Sequence, residues 1–143
     1  MASTAVNALK GFMWFVAAYH LFVGLSLNLS PAFTHLIARA YGATTVDWTP
    51  QLVYLAKILG AFMVALGILA ALAAREPLRH PIVPLGFVIL FALRALQRLI
   101  FLREIQAAFG QAPARLVTQF VVMAGLAVAL FLVQRRAHAA AST

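Results

Sequence analysis

Residues 52–74 read LVYLAKILGAFMVALGILAALAA, a stretch in which Lys57 is the only charged side chain. As an α-helix rising ~1.5 Å per residue, this segment is about 34 Å long. That length is enough to cross the ~30 Å hydrocarbon core of a bilayer. The segment therefore predicts a membrane-spanning helix.

Three further apolar segments have the same character. They lie at residues 11–29, 82–102 and 116–133. Residues that begin or break helices separate the segments, at Thr49-Pro50, at His80-Pro81 and at Gly110 with Pro113. Four spans with short connections predict an all-α, integral membrane four-helix antiparallel bundle, which forms a single domain over residues 1–143.

Only the connection after the first span is long. Within it Ser30-Pro31 resembles a helix start and Gly42 resembles a helix stop, and the apolar residues between them follow helical spacing. Residues 31–41 are therefore predicted to form a short interfacial helix that lies on the membrane surface and caps the bundle.

The composition agrees with a membrane protein and excludes several other classes. Hydrophobic residues make up 64% of the chain and charged residues only 10%, against about 45–50% and about 25% in soluble domains. The net charge is +8, but the cations lie between and inside apolar segments rather than on one polar face, so nucleic acid is not an expected partner. With no cysteine, the chain has no thiolate metal site or thiol redox pair.

The loop cations predict an orientation. One side of the predicted bundle carries five of them and the other side three, the five being Lys10, Arg75, Arg79, Arg135 and Arg136. The positive-inside rule then places both termini in the cytoplasm.

Three further cations, Lys57, Arg94 and Arg98, fall inside the predicted spans. Because consecutive spans alternate in direction, Lys57 lies about 8 Å, Arg98 about 6 Å and Arg94 about 12 Å below the non-cytoplasmic surface. All three are therefore in the same half of the bilayer. Each intramembrane charge costs a few kcal/mol or more and requires a partner or a watery cavity.

This one-sided polarity predicts a cationic pocket in the non-cytoplasmic half. Lys57, Arg94 and Arg98 are its candidate anion contacts. Tyr54, Gln97 and Gln119 are the candidate orienting hydrogen-bond partners. Paired arginines suit a lipid phosphate, a fatty carboxylate or a polar quinone-like head, so the expected ligand is an anionic amphiphile or a membrane lipid headgroup.

A structural interpretation of the same residues remains open. Lys57 and Arg98 can extend to the interface while Arg94 pairs inside the bundle, with Glu104 or with a backbone carbonyl. His20, near the middle of the first span, is either a haem or metal ligand or a neutral imidazole hydrogen-bonded between helices. The sequence contains no paired-carboxylate, HExxH or Ser/His/Asp arrangement, so no catalytic residue, metal or cofactor is assigned.

A different class of function is suggested by a stripe of small residues on the second span. Its members are Ala56, Gly60, Gly67, Ala71 and Ala74. Such a stripe permits close approach of another helix, either inside the bundle, in a homo-oligomer or on another protein. The alternative function is accordingly a non-catalytic accessory subunit that packs on a larger membrane complex.

The layout resembles the DoxX-like group of small bacterial membrane proteins. The resemblance is carried by the long first loop entered through a proline, by Lys57-Ile58-Leu59-Gly60 with Gly67, and by the arginines of the third span. It implies a four-helix bundle in a bacterial inner membrane. It carries over no catalytic residue to this chain.

Overall fold

The computed structural model describes residues 2–142, and this part of the chain is helical, with no strand. Its helices are α1 (Ala2–Leu29), α2 (Pro31–Ala40), α3 (Pro50–Arg75), α4 (Ile82–Ile100), α5 (Leu102–Phe109) and α6 (Pro113–Ala141). The helices α1, α3, α4 and α6 are long and apolar enough to cross a membrane. The predicted all-α bundle is confirmed, and the protein is a multi-pass membrane protein.

Two predicted helix starts form as expected. The hydroxyl of Ser30 accepts a hydrogen bond from the amide of Ala32 at 3.2 Å, and the hydroxyl of Thr49 accepts one from the amide of Leu52 at 3.3 Å. A proline follows each capping residue, at a position where its missing N–H breaks no hydrogen bond. The short helix α2 therefore begins where the sequence predicted it.

The helices α1 and α6 are longer than the predicted spans 11–29 and 116–133. At ~1.5 Å per residue α6 is about 43 Å long, so it continues beyond a ~30 Å hydrocarbon core. Packing holds the added turns, because Leu9 of α1 and Ala137 of α6 are fully buried in the main core. Hydropathy locates the part of a helix that crosses the membrane, but it does not show where the helix ends.

The third predicted span, residues 82–102, is interrupted before its end. The helix α4 stops at Ile100, Phe101 leaves the helical conformation (φ −102°, ψ 28°), and α5 starts at the next residue. The sequence did not predict α5, because its first residues continue the apolar run of α4. Gly110 ends α5 in the left-handed conformation, with φ 64°.

The helices α1 and α3 pack at close range through glycine. A Cβ atom added at Gly24 would lie 2.7 Å from the carbonyl oxygen of Gly60. A Cβ atom added at Gly67 would lie 2.7 Å from Cγ of Leu21. Backbones come this close in membranes where small residues meet. The predicted small-residue stripe is thus used inside the chain at Gly60 and Gly67.

The two ends of the bundle are packed differently. The main core lies toward the end that holds Ala2 and Ala141 and includes Leu9, Met13, Val16, Ala70, Ala73, Ala74, Phe87, Phe91, Leu130 and Ala137. The opposite end, here called the loop end, contains α2, residues 41–49 and α5, and among the described residues its buried hydrophobic cluster is smaller: Val23, Leu27 and Met63. The helices α3 and α4 contact each other little, although α3 packs on α1 and α4 on α6. The gap between α3 and α4 leaves space at the loop end.

Candidate functional site

A cavity of ≈ 390 Å³ occupies the loop end between α3 and α4. Its volume lies within the range of small-molecule sites, about 300–1,000 Å³. The last turns of α1, the helix α2, the connection to α3, the first half of α3 and the end of α4 all contribute to its walls. Most of the lining is apolar, including Val23, Leu27, Ile37, Leu52, Leu55, Leu59 and Met63.

Two of the predicted anion contacts, Arg94 and Arg98, line this cavity together. They are one helical turn apart, which places their Cβ atoms about 5–6 Å from each other, and both are half-buried. Within residues 2–142 neither guanidinium group takes part in an ion pair or a hydrogen bond. Two like charges at this spacing repel each other, so an anion bound between them would stabilise both.

The ion pair that the described residues contain lies at the other end of the bundle. Nη1 of Arg79 donates to Oε2 of Glu76 at 3.0 Å, and both side chains are exposed. This hydrogen bond and the charge of Arg79 hold the pKa of Glu76 below its usual value. In the described part of the chain, Asp47 and Glu104 pair with neither of the cavity arginines.

Four of the six predicted site residues do not line the cavity: Lys57, Tyr54 and Gln97, and also Gln119, which lies beside it. Lys57, Tyr54 and Gln97 are exposed, and Tyr54 is 65% exposed. Ala56 lines the cavity, whereas the next residue, Lys57, points about 100° away around a helix of 3.6 residues per turn. The sequence predicts a depth for Lys57, whereas its direction follows from how α3 packs on α1.

Gln119 lies beside the cavity, and the nitrogen of its amide group is hydrogen-bonded. Its Nε2 donates to the carbonyl oxygen of Tyr41 at 2.8 Å, and Nε2 of Gln111 donates to the same oxygen at 2.9 Å. Two amide donors occupy both lone pairs of that carbonyl. Gln119 is therefore a residue that positions Tyr41, which itself lines the cavity.

Gln111 is a site residue that the sequence reasoning missed. It lines the cavity and is 7% exposed. Because its Nε2 is held by Tyr41, its Oε1 is oriented as an acceptor, and this oxygen is buried with no hydrogen-bond partner among the described residues. Its only sequence signal was an amide beside Gly110, at the membrane surface nearest the arginines.

The connection between α2 and α3 closes the cavity by binding the α5–α6 turn. The backbone amide of Thr44 donates to the carbonyl oxygen of Phe109 at 2.9 Å. The hydroxyl of Thr44 donates to the carbonyl oxygen of Gly110 at 3.2 Å. Arg115 donates to the carbonyl oxygen of Ala40. The imidazole of His35 stacks on the indole of Trp48, which lines the cavity, with ring centroids 4.5 Å apart.

His20 lies outside the cavity, in the main packed region. It is fully buried, and its Nδ1 donates to the carbonyl oxygen of Val16 at 2.8 Å. Its ring meets Phe87 and Phe91 of α4 edge-on and at a tilt, with centroids 5.3 Å and 6.4 Å away. The hydrogen bond is thus made within α1, whereas the contact between helices is aromatic.

The described residues do not bring three His, Cys, Asp or Glu side chains close enough to hold a metal ion. What the loop end offers is binding chemistry: two guanidinium groups beside a largely apolar wall. In comparisons with known proteins, no family model, no curated protein and no solved structure matches the chain.

Proposed function

We propose that this protein binds the acidic headgroup of a membrane amphiphile, a carboxylate or a phosphate, between Arg94 and Arg98. The observation that carries the proposal is a pair of guanidinium groups on one largely apolar cavity, with no carboxylate partner within residues 2–142. A guanidinium group binds carboxylate and phosphate oxygens through parallel hydrogen bonds, which an ammonium group does not reproduce. An apolar wall beside such a pair suits a ligand that is itself part acidic and part apolar.

The amide of Gln111 has a positioning role in the proposal. Its Nε2 donates to the carbonyl oxygen of Tyr41, which lines the cavity. Its Oε1 has almost no solvent-accessible surface, so a bound headgroup does not reach that oxygen. The preferred ligand is therefore defined by the anionic oxygen that it presents to the arginines.

The proposal includes a location and an orientation. The protein would lie in a bacterial inner membrane, with both termini in the cytoplasm and the cavity in the non-cytoplasmic half. Five loop cations against three support the orientation. The order of four helices and the long first connection entered through Pro31 support a relationship to the DoxX-like group.

The alternative function as an accessory subunit rests on fewer observations. Gly60 and Gly67 already pack against α1, so that part of the small-residue stripe is not available to a partner. The exposed aromatic side chains of α1, such as Phe15 and Phe22, are equally suited to lipid. Copurification of a stoichiometric partner from gently solubilised membranes would favour the alternative.

Native mass spectrometry in a neutral sugar detergent tests the proposal with dodecanoate and dodecyl phosphate as probes. Because hydrogen bonds to a charged group contribute about 1.5–3 kcal/mol, Arg94→Ala and Arg98→Ala should weaken binding by about 10- to 100-fold. Arg103→Ala is the matched control, since it removes the same charge from an exposed side chain of α5. Equal affinities of Arg98→Ala and Arg103→Ala would contradict the proposal.

A further inference from the structure

The gap between α3 and α4 continues beyond the loop-end cavity. A second cavity of ≈ 380 Å³ lies along it and is here called the α3–α4 groove. Every residue that lines the groove is apolar, and they include Leu66 and Leu69 of α3 and Gly86, Leu90 and Leu93 of α4. An apolar gap between helices in a bilayer is a place for hydrocarbon rather than for water.

The groove and the loop-end cavity are neighbours along the gap between α3 and α4. The cavity includes Met63 and Arg94, and the groove begins at Leu66 and Leu93, within one helical turn on each side. A path between α3 and α4 is therefore cationic at its start and apolar along the rest. This is the distribution of polarity in a lipid with one acyl chain extended below an acidic head.

We infer that an acyl chain of the bound amphiphile lies in the α3–α4 groove, with its acidic head between Arg94 and Arg98. This inference rests on the proposed function and names its ligand class: a fatty acid or an acidic phospholipid with a long chain. From Arg94 to Ile82, the far end of the groove, α4 rises about 18 Å. One leaflet contributes about 15 Å to the hydrocarbon core, so the groove matches the length of one extended chain.

A chain bound in this way lies at a different depth in the membrane from a bulk lipid of the same leaflet. A bulk lipid keeps its head at the interface, whereas the arginines hold the head of the bound amphiphile about 6–12 Å below it. The middle of a bound chain would lie about 9 Å farther along α4, beside residues 86–90. The middle of a bulk chain in the leaflet at the loop end would lie closer to that end, whereas a bulk chain of the opposite leaflet would reach a similar depth on the lipid-facing surface of every helix.

Photocrosslinking in phosphatidylcholine nanodiscs measures this depth. The probe is hexadecanoic acid with a diazirine at the middle of its chain, and crosslinked residues are identified by peptide mass spectrometry. We expect crosslinks at residues 86–90 of α4 and at Leu66 and Leu69 of α3. Excess hexadecanoate or hexadecyl phosphate should compete for them, and the stronger competitor identifies the head as a carboxylate or a phosphate.

The variant Gly86→Leu adds side-chain volume to the groove, and its Cβ atom has nothing within 4 Å. Gly125→Leu is the matched control, since Gly125 has the same open surroundings on α6 and lines neither cavity. Gly86→Leu should reduce the groove crosslinks by at least about fivefold, equivalent to about 1 kcal/mol, and Gly125→Leu should leave them unchanged. Binding of butyl phosphate, which is essentially a head without a chain, should be unaffected by either variant.

Failures of the two proposals give different results. If Arg98→Ala weakens butyl phosphate binding but wild-type crosslinks are spread over the lipid-facing residues of all helices, the acyl-chain inference is wrong and the headgroup site stands. Equal groove crosslinks in Gly86→Leu and Gly125→Leu would also overturn the inference. If Arg98→Ala changes neither butyl phosphate binding nor crosslinking, the headgroup site itself is wrong.

Discussion

At the scale of single residues, direction around a helix separates side chains that share one depth. Lys57 and Arg98 were both predicted to lie several Å below the same surface, yet only Arg98 lines the cavity. The helix α4 turns Arg94 and Arg98 toward the gap because its opposite face packs on α6. Gln111 enters the site for a comparable reason, since its amide is bound by Tyr41, far away in sequence.

Gly110 forms the α5–α6 turn to which Thr44 is hydrogen-bonded at the closed end of the cavity. It has φ 64°, and an added Cβ atom would lie 2.6 Å from the hydroxyl oxygen of Thr44. We expect Gly110→Ala to lower the free energy of unfolding by about 1–2 kcal/mol, the cost of the left-handed conformation for an L-residue. Thermal unfolding in neutral detergent measures the change.

The control for Gly110→Ala is Gly125→Ala. Gly125 is helical and has nothing within 4 Å of an added Cβ atom. Alanine is favoured over glycine inside a helix by about 0.5–1 kcal/mol, so this variant should unfold at the same or a higher temperature. A Gly110→Ala protein as stable as Gly125→Ala would show that the turn does not require a positive φ.

At the scale of helices, the pattern of apolar residues predicted which segments are helical, and contacts decided how far they extend. The predicted helix at residues 31–41 and the spans at 52–74 and 82–102 agree closely with α2, α3 and α4. The short helix α5 was not predicted, because hydropathy does not register a break at Phe101 between two apolar residues. Helix boundaries depend on backbone hydrogen bonds and packing, which hydropathy does not describe.

The contact between α1 and α3 leaves no room for an added methyl group at Gly24. A Cβ atom at Gly24 would lie 2.7 Å from the carbonyl oxygen of Gly60 and 2.8 Å from the backbone nitrogen of Val64. Both are main-chain atoms, so the helices themselves must separate. We expect Gly24→Ala to destabilise the protein by about 1–3 kcal/mol, the usual cost of overpacking.

Gly11→Ala is the comparison on the same helix, since nothing lies within 4 Å of an added Cβ atom at Gly11. The unfolding temperatures of the two variants in detergent would be compared with that of the wild type. If Gly24→Ala and Gly11→Ala unfold at the same temperature, the close approach of α1 and α3 is not important for stability.

At the scale of the whole molecule, the distribution of packing gives the bundle two different ends. The main core joins α1, α3, α4 and α6 near Leu9 and Ala137, whereas the loop end combines a small buried cluster with the cavity. A bundle that is tightly packed at one end can remain open at the other, where α3 and α4 diverge. This arrangement is suited to a ligand that enters from the bilayer between those two helices.

The orientation of the bundle is testable because the chain has no cysteine. We expect Arg103→Cys, on α5, to react with a membrane-impermeant maleimide in right-side-out spheroplasts. Ser142→Cys should react only after the membrane is permeabilised, because the proposed orientation places the carboxyl terminus in the cytoplasm. The reverse labelling pattern would move the cavity to the cytoplasmic half.

The sequence by itself determined the number of candidate spans and the helical class, and it predicts the depth of each intramembrane cation. These properties follow from length and hydropathy along one axis, because the bilayer sorts residues by depth. Only the tertiary structure decided which of those cations line the cavity. Lipid tails are as apolar as the side chains of a membrane helix, so hydrophobicity does not select which face of the helix turns inward. Specific contacts select it, such as Gly24 with Gly60 and the amides of Gln111 and Gln119 with the carbonyl oxygen of Tyr41.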